Sequence, residues 1–297
     1  MAGDRIDLKV GFACNNRCVF CAQGHKRDAC DAMPVDELAK KLVESAGPGK
    51  GLVLTGGEPT LHKKLLPLIR LASQLGYSPI QVQTNGRLLR YPNVLDALIA
   101  AGANEFSPSL HGSRAEVHDA LTRAPGSFDD SVAGIEAVAK RGMSLVTNSV
   151  VTRSNLDDLP DLVALLARLG VRHAQLAFVH PVGTAMELFD ETVPRLPDAE
   201  RHIRRAREIA IAAGLTLVTE AMPLCFLRGM EELAVESRIP ATTVLDLEGP
   251  LDYERWRRAE GKAHGAPCTR CSRARDCEGP WREYTDRWGW DEFEPIA

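Results

Sequence analysis

Residues 6–21 read Ile-Asp-Leu-Lys-Val-Gly-Phe-Ala-Cys-Asn-Asn-Arg-Cys-Val-Phe-Cys. The run from 6 to 13 has the length and content of a buried strand. It empties into three cysteines, Cys14, Cys18 and Cys21, spaced Cys-x3-Cys-x2-Cys. Working outward, strand-like apolar runs recur at 52–55, 80–84, 105–109, 144–151 and 173–179. Helical patterns lie between them at 35–45, 62–75, 93–101, 129–141 and 156–169. Near-continuous apolar strands alternating with helices predict parallel βαβ units in an α/β fold. Gly76, Gly102, Gly142 and Gly170 each follow a helical run, where a residue of positive φ closes a helix. Six such units suit an incomplete barrel, and a doubly wound open sheet fits the same periodicity.

Charge and composition exclude several classes. Among 297 residues, 36 Lys and Arg face 40 Asp and Glu, a net charge of −4. That balance carries no electrostatic footprint of a nucleic-acid or membrane-surface binder. The N-terminal residues alternate charged and apolar without a signal-peptide core, and no run of 18 apolar residues predicts a membrane span. A cytoplasmic location is therefore expected, where eight cysteines serve metals or catalysis more readily than disulfides. After a strand-like run at 215–219 the character changes. Residues 221–297 hold all four tryptophans and half the cysteines, so a boundary is placed near Glu220, giving an α/β core at 1–220 and a cysteine-rich region at 221–297.

Three thiols on one short loop can ligate three corners of an iron–sulfur cubane and leave the fourth iron open to a ligand. A zinc site completed by a remote Cys or His is the other reading of the same spacing. The loop follows a parallel strand at its C-terminal end, where α/β folds place active sites. After the second strand comes Thr55-Gly56-Gly57-Glu58-Pro59. Adjacent glycines allow close backbone approach to a ligand, and Glu58 offers a countercharge for an ammonium.

Cys14-Asn-Asn-Arg-Cys18-Val-Phe20-Cys21, with an aromatic residue before its third cysteine, resembles the signature of the radical S-adenosylmethionine (SAM) superfamily. Residues 55–59 resemble that superfamily's motif for the SAM amino group. The resemblance covers about 6–220 and implies a partial (β/α)6 barrel of TIM type. It implies a [4Fe–4S] cluster on Cys14, Cys18 and Cys21 whose open iron is chelated by SAM. An electron from a flavodoxin- or ferredoxin-like donor then cleaves SAM to methionine and a 5′-deoxyadenosyl radical, which takes hydrogen from an unactivated carbon. Phe20, Gly56, Gly57, Glu58, Pro59, Ser109 and Asn148 are the implied cofactor contacts. His111 and His180 are candidate proton donors to substrate, or packing histidines.

Cys268, Cys271 and Cys277 are spaced Cys-x2-Cys-x5-Cys, with Cys225 upstream. Four thiolates suit a fully ligated cluster, and the spacing resembles the middle of the SPASM motif of peptide-modifying radical SAM enzymes. Position 281 is Trp and no cysteine follows Cys277, so a shortened, Twitch-like region with one auxiliary [4Fe–4S] cluster is expected. A structural zinc knuckle on the same residues is the alternative. Cys30 is expected to be a free thiol, or to replace Cys225. The auxiliary cluster would take an electron from a substrate radical or bind the substrate. SPASM-like spacing favours a peptide substrate; a chain opening directly on its first strand, without a leader-binding segment, favours a small metabolite. A non-catalytic electron carrier or scaffold is the rival, and it has no need of residues 56–59.

Three other features have plainer readings. Arg201, Arg204, Arg205 and Arg207 on a helix at 198–213 form a solvated face, with Arg204 set to pair Glu208. Gly47-Pro-Gly-Lys-Gly51 lacks the spacing of a phosphate loop. Trp281, Tyr284, Trp288, Trp290 and Phe293 line a pocket or pack around a cluster.

Overall fold

The computed structural model describes residues 4–27, 29 and 33–297; Cys30 lies outside the described residues. Seven parallel strands cross the sheet in chain order: β1 (Arg5–Lys9), β2 (Gly51–Thr55), β3 (Ile80–Thr84), β4 (Glu105–Pro108), β5 (Ser144–Val151), β6 (His173–Phe178) and β7 (Thr216–Glu220). Beyond residue 220, β8 (Thr242–Asp246) lies parallel to β1 on its other side, and β9 (Gly249–Asp252) turns back antiparallel to β8. From β7 to β1 the order never reverses. A doubly wound sheet reverses at its switch point, so the monotonic order selects the incomplete barrel.

The connecting helices are α1 (Gly24–Arg27), α2 (Val35–Ser45), α3 (Leu65–Gln74), α4 (Pro92–Ala101), α5 (Ala115–Thr122), α6 (Ser127–Lys140), α7 (Leu159–Arg168), α8 (Thr184–Glu187), α9 (Phe189–Thr192) and α10 (Leu196–Ala213). All four glycines expected to close helices have positive φ, from 64° at Gly142 to 118° at Gly102. Helix α6 places Asp129 and Asp130 in its first turn and Lys140 in its last, matching its dipole.

The strands differ from the sequence expectation in two respects. Only β2 is buried along its whole length; β1, β3, β5 and β6 alternate buried and half-buried residues. Leu8, Leu54, Val82 and Phe106 point outward and are fully buried. Arg5, Asp7, Lys9, Gln81, Gln83, Ser107, Asn148 and Gln175 line the barrel interior. A barrel that encloses a cavity needs such polar inner faces, whereas near-continuous apolar strands would suit a filled one. The first strand also ends earlier than expected, at Lys9, and residues 10–13 run on toward the cysteine loop.

The sheet continues across the boundary placed near Glu220, because β8 supplies the neighbour of β1. The chain ends through α11 (Tyr253–Trp256), a π-turn at 257–261 and α12 (Arg282–Trp288). Trp281, Tyr284 and Phe293 are buried in the same apolar core as the barrel. On α10, Arg204 pairs with Glu200, one turn back, and not with Glu208; Arg201 pairs with Asp198 and Arg207 with Glu232. The solvated-face reading of these arginines holds with different partners. Among the described residues, no helix is long and apolar enough to cross a membrane.

Candidate active site

The loop bearing Cys14, Cys18 and Cys21 is held from several sides. Arg17 N and Val19 N donate to Thr122 O and Leu121 O of α5 at 2.8 and 2.9 Å. Asn85 Nδ2 donates to Asn15 Oδ1 at 2.6 Å, and Arg87 Nη1 to Asn15 O at 2.9 Å. Thr184 N closes the far end on Cys21 O at 3.0 Å. A loop so anchored presents its thiols in one arrangement before any ligand arrives.

Gly56 and Gly57 lie against the start of this loop. Gly57 N donates to Gly11 O and Glu58 N to Ala13 O, both at 2.8 Å. A Cβ at Gly56, where φ is 127°, would stand 2.2 Å from Gly11 O; one at Gly57 would stand 2.3 Å from Phe12 O. The glycine pair is thus required first for the approach of two backbones, which joins β2 to the cysteine loop.

Glu58, the countercharge the sequence offers for an ammonium, has four protein donors of its own. It accepts from Thr60 N, Thr60 Oγ1, Thr84 Oγ1 and Asn85 N, at 3.0, 2.5, 2.6 and 2.7 Å. Burial pushes its carboxyl up, against the pull of these four bonds. Glu58 caps the short turn after it and fixes Thr84 and Asn85 at the end of β3; Asn85 in turn holds the cysteine loop.

Cys14, Cys18, Cys21, Phe20, Gly56, Gly57, Ser109 and Asn148 line one cavity of ≈ 770 Å³, while Glu58 and Pro59 stand behind its wall. Ser109, just past β4, and Asn148, within β5, are partners in a parallel bridge that continues the pairing of these two strands. Asn148 Oδ1 is buried without a hydrogen-bond partner, so it offers an acceptor to a ligand. Burial pushes all three thiols up, and Cys18 is raised further by Cys21 and Cys14 beside it. As thiolates the three repel one another, and they fit a cationic, thiophilic centre such as iron. Among the described residues, no three or more His, Cys, Asp or Glu side chains converge as the ligand sphere of one metal ion would.

The two histidines sit differently. His111 is buried, with Val150 N donating to its Nδ1 at 3.1 Å and Phe20 against its ring at 4.6 Å. Burial and neighbouring His118 hold it well below the usual imidazole range. His180 lines the cavity and stacks on Trp281 at 3.8 Å, its Nε2 3.7 Å from Glu283.

A family model for the Radical SAM superfamily matches residues 8–166, more than half of the chain, and spans both motifs. The chain belongs to the radical SAM superfamily. It is therefore an enzyme whose family uses SAM and a [4Fe–4S] cluster. It is 31% identical over 224 residues to an AdoMet-dependent heme synthase of Methanosarcina barkeri, covering 74% of this chain and 62% of that protein. It is 33% identical over 189 residues to a probable GTP 3′,8-cyclase of Saccharolobus islandicus, covering 62% of this chain and 60% of the relative. The chain thus spans about three-fifths of the length of these two relatives. Its fold matches SuiB of Streptococcus suis bound to SAM with a TM-score of 0.70 at 14% identity, over 100% of this chain and 77% of SuiB.

This radical SAM chain has a second cysteine group. Cys225, Cys268, Cys271 and Cys277 all line one small cavity of ≈ 20 Å³, walled by Pro267, Pro280 and Phe293. Cys225 comes to it from the turn after β7, over 40 residues before the others. Its thiol is pushed up to about 12, by burial and then by Cys277 and Cys268. Leu224 N and Gly279 N point at Cys277 Sγ from 3.5 and 3.3 Å, as donors do toward a thiolate. Four mutually repelling, part-buried thiols fit a group that supplies positive charge at each sulfur. Of the aromatic tail, Trp281 lines the large cavity and Phe293 the small one, while Tyr284 and Trp288 pack on each other at 4.7 Å.

The sequence missed Glu220 and Tyr253, both part of the large cavity's wall. Glu220 accepts from Gln175 Nε2 at 2.6 Å, and burial followed by Glu236 pushes its carboxyl up. An acidic residue ending β7 in phase with inward-facing Val218 was the available signal. Tyr253 had none, because its position depends on the β8–β9 hairpin.

Proposed function

We propose that this radical SAM enzyme abstracts hydrogen from a peptide or small-metabolite substrate held in the large cavity, and that an auxiliary [4Fe–4S] cluster on Cys225, Cys268, Cys271 and Cys277 assists. The observation that carries the reading is the pair of cysteine-lined cavities, one wide and one small, with Cys277 in the wall of the small one and Trp281, four residues on, in the wall of the large one. Cys14, Cys18 and Cys21 would hold the cluster that SAM completes, and that pair supplies a 5′-deoxyadenosyl radical when reduced. A flavodoxin- or ferredoxin-like protein is the proposed donor.

The chain's own residues do the positioning. Gly56 and Gly57 bring their backbone beside the thiols, Phe20 walls the site, and Ser109 and Asn148 offer polar atoms to SAM. Glu58 and Pro59 set that wall from behind. Outward-facing apolar side chains and the helices seal the barrel from water, which protects a reactive species. Four cysteines supply a thiolate for every iron of a cubane and leave no iron open to a substrate, so electron acceptance is favoured there over substrate binding.

Anaerobic loading with iron and sulfide tests the reading. About eight irons per chain are expected for two cubanes against about four for one, together with reductive cleavage of SAM to 5′-deoxyadenosine. Zinc in place of half the iron would restore the zinc knuckle; no cleavage by fully loaded protein would overturn the catalytic assignment.

A further inference from the structure

Lys262 is 2% exposed, and its ammonium has no hydrogen-bond partner. Placing a cation there is costly unless other charges answer it. Its Nζ stands 4.1 Å from the centre of the Trp281 ring, a favourable cation–π position. Burial holds its ammonium below the usual lysine range, against the pull of Glu236, Glu278 and Glu220, and Arg257 adds to the lowering. Yet Glu278 is already engaged by Arg257 at 2.9 Å, and Glu220 by Gln175. The burial of this charge is only partly answered by protein groups.

Lys262 also sits between the two cavities. Its backbone bridges that of Trp281 in antiparallel register, and Ala263 N donates to Pro280 O at 3.1 Å. The backbones touch so closely that a Cβ on Gly279 would lie 2.0 Å from Ala263 O. One further residue along, His264 Nε2 meets Cys277 O at 3.0 Å. The segment 277–281 therefore runs from the small cavity, walled by Cys277, to the large one, walled by Trp281, with Lys262 fixed along it.

We propose that Lys262 is a positioning residue for charge: it raises the reduction potential of the cluster held by Cys225, Cys268, Cys271 and Cys277. The inference rests on the auxiliary-cluster reading above. A cubane with four thiolate ligands is anionic and gains one more negative charge on reduction. A fixed cation in a low-dielectric wall favours that reduced form, and net charge is a known lever on cluster potentials. The same side chain stands against Trp281, which walls the substrate cavity.

The test is a redox titration, followed by electron paramagnetic resonance, of the full chain loaded with both clusters. The auxiliary signal is the one that does not move when SAM is added. Lys262→Met keeps the chain length and packing against Trp281 but removes the charge. The auxiliary cluster's equilibrium constant for reduction is expected to fall at least tenfold, about 59 mV for one electron, with the SAM-sensitive signal unchanged. Lys262→Arg should hold the potential near the wild-type value. An unchanged potential in Lys262→Met, or an equal fall in Lys262→Arg, overturns the proposal. Loss of the auxiliary iron from Lys262→Met also overturns it, since the residue would then hold the fold. Wild-type protein with about four irons and no SAM-indifferent signal would instead sink the second cluster itself.

Discussion

Replacing Gly57 with Ala tests whether the glycine pair works through the cysteine loop. Gly57 does not have positive φ, so the effect of the methyl group is purely steric. The new Cβ would lie 2.3 Å from Phe12 O and 2.4 Å from Ala13 O. Ordinary contact begins near 3.4 Å, so the two backbones must part by about 3.4 − 2.3 = 1.1 Å. Forced separation of packed groups costs about 1–3 kcal/mol. It also stretches the bonds from Gly57 N to Gly11 O and from Glu58 N to Ala13 O, worth about 1 kcal/mol each. Displacement of catalytic parts by about 1 Å lowers rates by on the order of a hundredfold. SAM cleavage by loaded Gly57→Ala protein should fall by about that factor, with the barrel cluster's iron retained and the thermal midpoint lowered. Gly47→Ala serves as the control, because its Cβ would meet only the flexible end of Lys50 at 3.2 Å. A Gly57→Ala enzyme that cleaves SAM at the wild-type rate would refute the argument.

Three further outcomes are expected. Changing Cys14, Cys18 and Cys21 together to Ala should abolish 5′-deoxyadenosine formation in a chromatographic assay and leave about four irons per chain, those of the auxiliary cluster. Cys225→Ser should lose auxiliary iron by metal analysis while still cleaving SAM, because its thiol faces only the small cavity; full iron retention would remove it from the ligand set. Asp119 accepts from Phe128 N, Gly126 N and Ser127 Oγ at 2.8, 2.6 and 2.9 Å. Partial burial pushes its carboxyl up, but these bonds outweigh that and hold it below its usual value. A lowered carboxyl stabilises the fold above its unfolded pKa, and the contribution is lost as pH falls through the folded value. Asp119→Asn should therefore lower the denaturation midpoint at pH 7, by about 1 kcal/mol or less for so exposed a group, and the gap to wild type should close below about pH 4.

The barrel's βαβ units were legible because their signals are local. Strand runs, helix-closing glycines and the position of Cys14 after the first strand each depend on a few adjacent residues; the strand order does not, and periodicity left the incomplete barrel and the doubly wound sheet both open until the sheet showed a monotonic order. The polar inner face was visible in the alternation of Ile80-Gln-Val-Gln-Thr84, yet its apolar members dominated the reading, and on β5 Asn148 stands between inward-facing Val146 and Val150. Spacing marked Cys268, Cys271 and Cys277 as a group, but it left Cys225 and Cys30 as rival fourth members; the fold brings Cys225 to the same cavity as the three. Glu58 was not legible, because its role depends on where Thr84 and Asn85 arrive from another strand. Nor was Lys262: a lysine in an irregular stretch gives no sign that Trp281 will close over it. The helical patterns read from the sequence do not include α5, which is only eight residues long.

The pairing of β8 with β1 bears on how such a chain could be rebuilt. The strand leading into the cysteine loop is flanked on one side by β2 and on the other by residues 242–245. Cutting after residue 220 would strip β1 of a neighbour and leave a row of unpaired amides at the edge, a template for association with other chains. The tail is thus not a cassette to be exchanged freely for another specificity module. Any graft in its place must bring its own strand to β1 in the same register, or the loop that carries the first three cysteines loses its footing.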